Sequence, residues 1–164
     1  MKHLIKFMIV AVIMIAYSAS ANAQGSATTS GNAAARIVAP ITLTAVNTLD
    51  FGTIYNNAAG TVTMTPGSVR SAAGANLSPI AVGQAGSFTV GGEATLTYSI
   101  TLPADGTVTI ANGVNTMAID GFNHNAGGTP TVPQTFNVGA VLTVAAGQAP
   151  GDYTGTYSVT VAYN

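Results

Sequence analysis

The sequence predicts an all-β fold, an immunoglobulin-like antiparallel β-sandwich of seven or eight strands. Three observations predict it. Apolar residues recur with period two in almost every informative window, turn signals rich in Gly, Asn and Asp separate those windows, and no segment carries a helical stripe. Composition agrees: 48% of residues are hydrophobic and only 5% are charged, the reverse of a disordered chain.

The first segment, residues 1–23, reads as a cleavable export signal. Lys2, His3 and Lys6 form a basic start, Phe7 to Tyr17 an apolar run, and Ala21-Asn22-Ala23 a small-residue cleavage site. The apolar run is 11 residues long, against about 20 needed to cross a bilayer as a helix. Cleavage after Ala23 removes 23 of 164 residues and leaves 141, with Arg36 and Arg70 set against Asp50, Glu93, Asp105, Asp120 and Asp152. No membrane-spanning helix is expected in that mature chain. The expected route is export to the periplasm and then to the cell surface or medium.

Residues 24–36 differ from the rest. They are Gln, Gly, Ser, Ala, Thr, Asn and one Arg, with no bulky apolar side chain before Ile37. This stretch is expected to be a flexible extension, and residues 37–164 the β-sandwich domain. Within the domain the alternating runs are Ile41–Thr44, Thr61–Met64, Ser87–Val90, Thr95–Leu102, Thr107–Ile110, Phe136–Val138, Leu142–Val144 and Tyr157–Tyr163. Thr and Ser supply most of the opposite face, which suits strands buried on one side only. Gly91-Gly92, Asp105-Gly106, Asn112-Gly113 and Gly151-Asp152 punctuate the runs with residues that tolerate positive φ.

The residue inventory excludes most chemistry. There is no Cys, so thiolate metal sites, disulfides and thiol nucleophiles are absent. Four Lys and Arg cannot make the basic stripe that nucleic acid requires. His124 is the sole His after the leader, too few for a catalytic triad or a His-based zinc site. Asp120-Gly121-Phe122-Asn123-His124-Asn125 loosely suggests a calcium loop but has one carboxylate and no bidentate Glu. The expectation is a non-enzyme with no cofactor and no metal.

The carboxyl end is the most distinctive region. Gly151-Asp152-Tyr153-Thr154-Gly155-Thr156-Tyr157 leads into a last alternating run in which Tyr157, Val159, Val161 and Tyr163 share a face. Tyr153 is a candidate tyrosine corner, its hydroxyl bonding back to a nearby carbonyl. Together with Leu49-Asp50-Phe51-Gly52, this Gly-x-Tyr-x-Gly-x-Tyr ending resembles a bacterial secreted family catalogued as a domain of unknown function. The ending is also similar to that of spore-coat-protein-U-like and archaic chaperone–usher pilin subunits.

The pilin resemblance implies a sandwich built one strand short, completed first by a periplasmic chaperone and then, at an outer-membrane usher, by the arm of the next subunit. It implies a donor strand of Ala27, Thr29, Gly31, Ala33, Ala35, Ile37 and Ala39, and an acceptor edge of Tyr157, Val159, Val161 and Tyr163. It implies a chaperone anchor at the carboxylate of Asn164, and a head-to-tail homopolymer as the product. The function expected is a structural subunit of a surface fibre or coat. The alternative is a self-contained exported binding or adhesin module with a complete sandwich. A small outer-membrane barrel fits less well, because the chain lacks aromatic girdles and a terminal aromatic residue.

Overall fold

The computed structural model describes residues 25–127 and 133–164. The expected leader lies outside the described residues. The chain divides into two units, Met1–Arg36 and Ile37–Asn164. In the first, residues 25–36 are exposed and have no regular secondary structure. Every strand among the described residues lies in the second.

Among the described residues the secondary structure is all β. The strands are β1 (Thr42–Asn47), β2 (Ile54–Tyr55), β3 (Gly60–Met64), β4 (Arg70–Ala73), β5 (Asn76–Leu77), β6 (Gly86–Gly91), β7 (Tyr98–Thr101), β8 (Val108–Asn112), β9 (Asn115–His124), β10 (Gln134–Val144) and β11 (Thr160–Tyr163). Every pairing is antiparallel.

β10 is the hub. Gln134–Val138 pairs with β6 and Ala140–Val144 with β3, while β9 pairs along Val138–Leu142 on the opposite flank. β1 extends this sheet beyond β6, β4 beyond β3, and β8 beyond β9. β7 and β11 form a separate ribbon. Tyr98, Ile100, Val161 and Tyr163 of that ribbon pack on Val90, Phe136 and Val138 of β6 and β10, which makes the second layer of the sandwich. A second core gathers Phe51, Val62, Met64, Val108, Ile119, Leu142 and Val144. At about 1.5–3 kcal/mol per fully buried large apolar side chain, these two clusters dominate the stabilising terms.

Several elements differ from the sequence expectation. The runs at Phe136 and Leu142 are one eleven-residue strand, β10. The Thr95–Leu102 alternation yields a strand only over Tyr98–Thr101, because a turn with Leu96 N donating to Glu93 O occupies its start. The loose calcium loop lies largely within β9. Its Asp120 carboxylate accepts Gly106 N at 2.7 Å, and Asp105 accepts Gly121 N at 2.8 Å. Gly121, at φ +60°, sits where the β9–β10 register shifts.

The most consequential difference concerns the last run. The expected strand from Tyr157 is a strand only from Thr160. Thr154 exchanges both backbone hydrogen bonds with Ala111 of β8, and Thr160–Tyr163 pairs with β7. Between those anchors, no backbone hydrogen bond engages 155–159 among the described residues. A cavity of about 340 Å³ lies between the β7–β8 connection and residues 156–160.

Candidate functional site: an apolar groove beside the L-D-F-G box

The Leu49-Asp50-Phe51-Gly52 box is a turn with a physical rationale. Asp50 Oδ1 accepts Gly52 N at 2.7 Å, and Gly52 holds φ +70°. That turn drives Phe51 into the core, where it is 6% exposed. Asp50 exchanges backbone hydrogen bonds with Gln84, Thr53 N donates to Ala81 O, and Ile54 pairs with Leu77. Arg70 then locks the box from outside. Its Nη1 donates to the carbonyls of Phe51, Thr53 and Ala81, and its Nη2 to that of Ser78, at 2.7–3.1 Å.

Residues 48–56 thereby form one wall of a groove of about 740 Å³. Residues 148–155 form the other. Tyr153 fixes this second wall: its hydroxyl donates to Ala149 O at 2.8 Å and accepts from Gln148 Nε2 at 2.9 Å. Ile110, Met117, Ile119, Leu142 and Val144 line the groove between the walls, so it opens directly onto one of the two cores. Asp50 and Asp152 are the charged residues in the lining, one on each wall.

One end of the groove is bounded and the other runs on past Gly155. At the bounded end Asn56 joins the walls, its carbonyl accepting Gly147 N and its Nδ2 donating to Gln148 O. Beyond residue 155 the chain borders the smaller cavity, and the Tyr157 hydroxyl lies against Gly86. There the Tyr157 ring packs edge-on against Phe88 and obliquely on Phe122, with burial pushing its hydroxyl pKa up to about 12. A Cβ on Gly86 would strike the Tyr157 hydroxyl, so glycine is what admits the ring.

The residues singled out from sequence fall in three places. Ala27, Thr29, Gly31, Ala33 and Ala35 lie in the exposed first unit, and Ile37 is 95% exposed at the start of the second. Ala39 is tied to its own domain, its carbonyl accepting the Tyr163 hydroxyl at 3.0 Å, while Glu93 N donates to the same hydroxyl. Tyr157, Val159, Val161 and Tyr163 share a half-buried face on the core under β6 and β10. The large groove lies alongside the residues that precede them. Asn164 donates from its backbone to Thr97 O and from its side chain to Thr97 Oγ1.

Sequence reading singled out Gly151–Gly155 without placing it as a groove wall, and it missed the lining residues Met117 and Ile119. The alternation of Met117 and Ile119 was the available signal, and the Gly121 bulge interrupts it. No group of three or more metal-ligating side chains occurs among the described residues, and no helix there is long and apolar enough to cross a membrane.

An antiparallel β-sandwich with an open groove between residues 48–56 and 148–155 is the class of protein the fold defines. A family model described as a domain of unknown function (DUF4402) matches residues 41–163, and the chain belongs to that family. No curated protein and no solved structure matches it.

Proposed function

We propose that this protein is an exported structural subunit that assembles into a surface fibre or coat by accepting a β-strand from another molecule. The observation that carries the reading is the groove of about 740 Å³ between residues 48–56 and 148–155, floored by the buried core residues Ile119, Leu142 and Val144. Residues 155–159, which run on from one wall past the smaller cavity, support it separately, since five consecutive residues without backbone partners present an edge that strand addition would satisfy. In this reading residues 1–23 direct export, a periplasmic chaperone covers the groove in transit, and an outer-membrane usher delivers the subunit to the surface. Head-to-tail capping does not close, so the product is linear. The low charge of the chain keeps repulsion between packed subunits small.

The end bounded by Asn56 favours a second reading, a self-contained exported binding module, because trough volumes of this size suit small ligands as well. An epitope inserted at Val114, 95% exposed at the β8–β9 hairpin tip, separates the two. Immunogold labelling of cells exporting the chain should mark linear assemblies. Diffuse label, with all extractable protein running as monomer, would refute the subunit reading.

A further inference from the structure

We propose that Asn112 is a self-modification site: Gly113 N displaces its side-chain amide, and the residue left behind unpins the groove wall at Pro150 and Gly151. The reaction needs no partner other than water, and it acts on the wall whatever the groove accepts.

The sequence holds one Asn-Gly step, Asn112-Gly113, and two Asp-Gly steps, Asp105-Gly106 and Asp120-Gly121. These steps are the most open to backbone attack on a side chain, because glycine has no Cβ to keep its nitrogen from the preceding side-chain carbon. The fold separates them. Gly106 N donates to Asp120 Oδ1 at 2.7 Å, and Gly121 N to Asp105 Oδ1 at 2.8 Å. Each carboxylate therefore holds the proton that the other acid's glycine must lose before it attacks. A hydrogen bond to a carboxylate should slow that loss on the order of tenfold.

Gly113 N has no such hold. The β8–β9 pairing ends at Asn112 and Asn115, and no hydrogen bond engages Gly113 N among the described residues. Gly113 is exposed at φ +63° in a two-residue turn, with open space where a Cβ would stand. Asn112 is half-buried, and its amide makes one long bond, Nδ2 to Pro150 O at 3.5 Å. Fraying of the last pair is enough to bring nitrogen and carbon together.

The bond formed is Gly113 N to Asn112 Cγ. The bond broken is Cγ–Nδ2, and ammonia leaves with the proton from Gly113 N. Water then opens the cyclic imide at either carbonyl, giving aspartate or isoaspartate. Aspartate sets a carboxylate oxygen where Nδ2 faced the Pro150 carbonyl, one residue from Gly151 and two from Asp152. Isoaspartate lengthens the backbone at the hairpin closure. Both lose the bond to Pro150. Gly151 leaves room for the original amide, since a Cβ there would strike Nδ2. The next tie along the wall is the backbone pair of Thr154 with Ala111.

The exported chain is held for weeks in mildly alkaline buffer and mapped by mass spectrometry, with isoaspartate counted by enzymatic methylation. Exchange of NH2 for OH, and isoaspartate, should accumulate at Asn112 while Asp105 and Asp120 stay unmodified. Asn112→Gln should not convert, and Asp105→Ala should open Asp120 to isoaspartate formation by freeing Gly121 N. Asn112→Asp, made directly, should speed amide exchange at Thr154 roughly three- to tenfold while Leu142 is unchanged. An intact Asn112 after weeks, or isoaspartate forming at Asp120 as fast as at Asn112, would overturn the modification site. Unaltered Thr154 exchange in Asn112→Asp would overturn its effect on the wall.

Discussion

Arg70 offers the sharpest test of how the groove wall is built. Its half-buried guanidinium donates to four backbone carbonyls on two segments, Phe51 and Thr53 of the box and Ser78 and Ala81 of the connection before β6. Hydrogen bonds from a charged donor contribute about 1.5–3 kcal/mol each, and orphaning partly buried acceptors adds its own cost. The four bonds share one side chain and are partly open to water, so they do not add in full. Arg70→Ala should therefore lose roughly 3–4 kcal/mol, a large part of the 5–15 kcal/mol typical of a domain. The corresponding fall in melting temperature is about 10 °C. Arg70→Lys should recover less than half of this, because one ammonium cannot reach diverging carbonyls that the planar fork spans. Urea denaturation of the three proteins gives the magnitudes, and amide exchange gives the location. Exchange at Thr53 should rise while Val138 and Leu142 in β10 stay protected. A loss of Arg70→Ala stability below about 0.5 kcal/mol, the ordinary range for a surface change, would refute the account of this wall.

Other substitutions address the remaining features. Gly86→Ala puts a methyl against the Tyr157 hydroxyl and should destabilise by about 1–3 kcal/mol in urea; the double variant with Tyr157→Phe should regain part of the loss. Burial raises the Tyr157 pKa from 10.0 to about 12, so above pH 10 the unfolded chain releases a proton that the folded chain keeps. Stability should accordingly be level up to pH 10 and fall between 10 and about 12, and Tyr157→Phe should flatten that fall in alkaline melts. Tyr98, likewise raised by burial, should be late to ionise in a tyrosinate absorbance titration of the native protein. Asp105→Ala and Asp120→Ala each remove one bond between the β7–β8 connection and the β9 bulge, and should lower stability by about 1 kcal/mol apiece. Because those carboxylates already serve backbone amides, added calcium should not shift the melting temperature of the unmodified chain.

Much of the fold was legible one strand at a time. Alternation over Thr61–Met64, Ser87–Val90 and Thr107–Ile110 corresponds to β3, β6 and β8 within a residue or two. A half-buried strand must alternate whatever its partner is, and the signal is therefore local. β9 escaped because Asp120, Gly121 and Asn123 read as a loop, whereas β8 on one side and β10 on the other make it a paired strand. The two-residue β2 and β5 have no local signature, since they exist by virtue of the Asp50 turn and Arg70 drawing their segments together.

The candidate site divides along the same line. Composition and spacing alone predicted the all-β class, the low charge, the small-residue arm and the distinctive Gly151–Tyr163 ending, while the family resemblance pointed to the Leu49–Gly52 box. Tertiary structure decided where the trough lies. The alternation from Tyr157 to Tyr163 marks an inward face, but whether a strand there is paired depends on the course of its neighbour, and a cavity lies between residues 156–160 and the β7–β8 connection. Only the meeting of residues 48–56 with 148–155, nearly a hundred positions apart in the chain, places Ile119, Leu142 and Val144 beside an open space. Side-chain periodicity reports what each segment does to its own two faces, and a groove is a relation between segments.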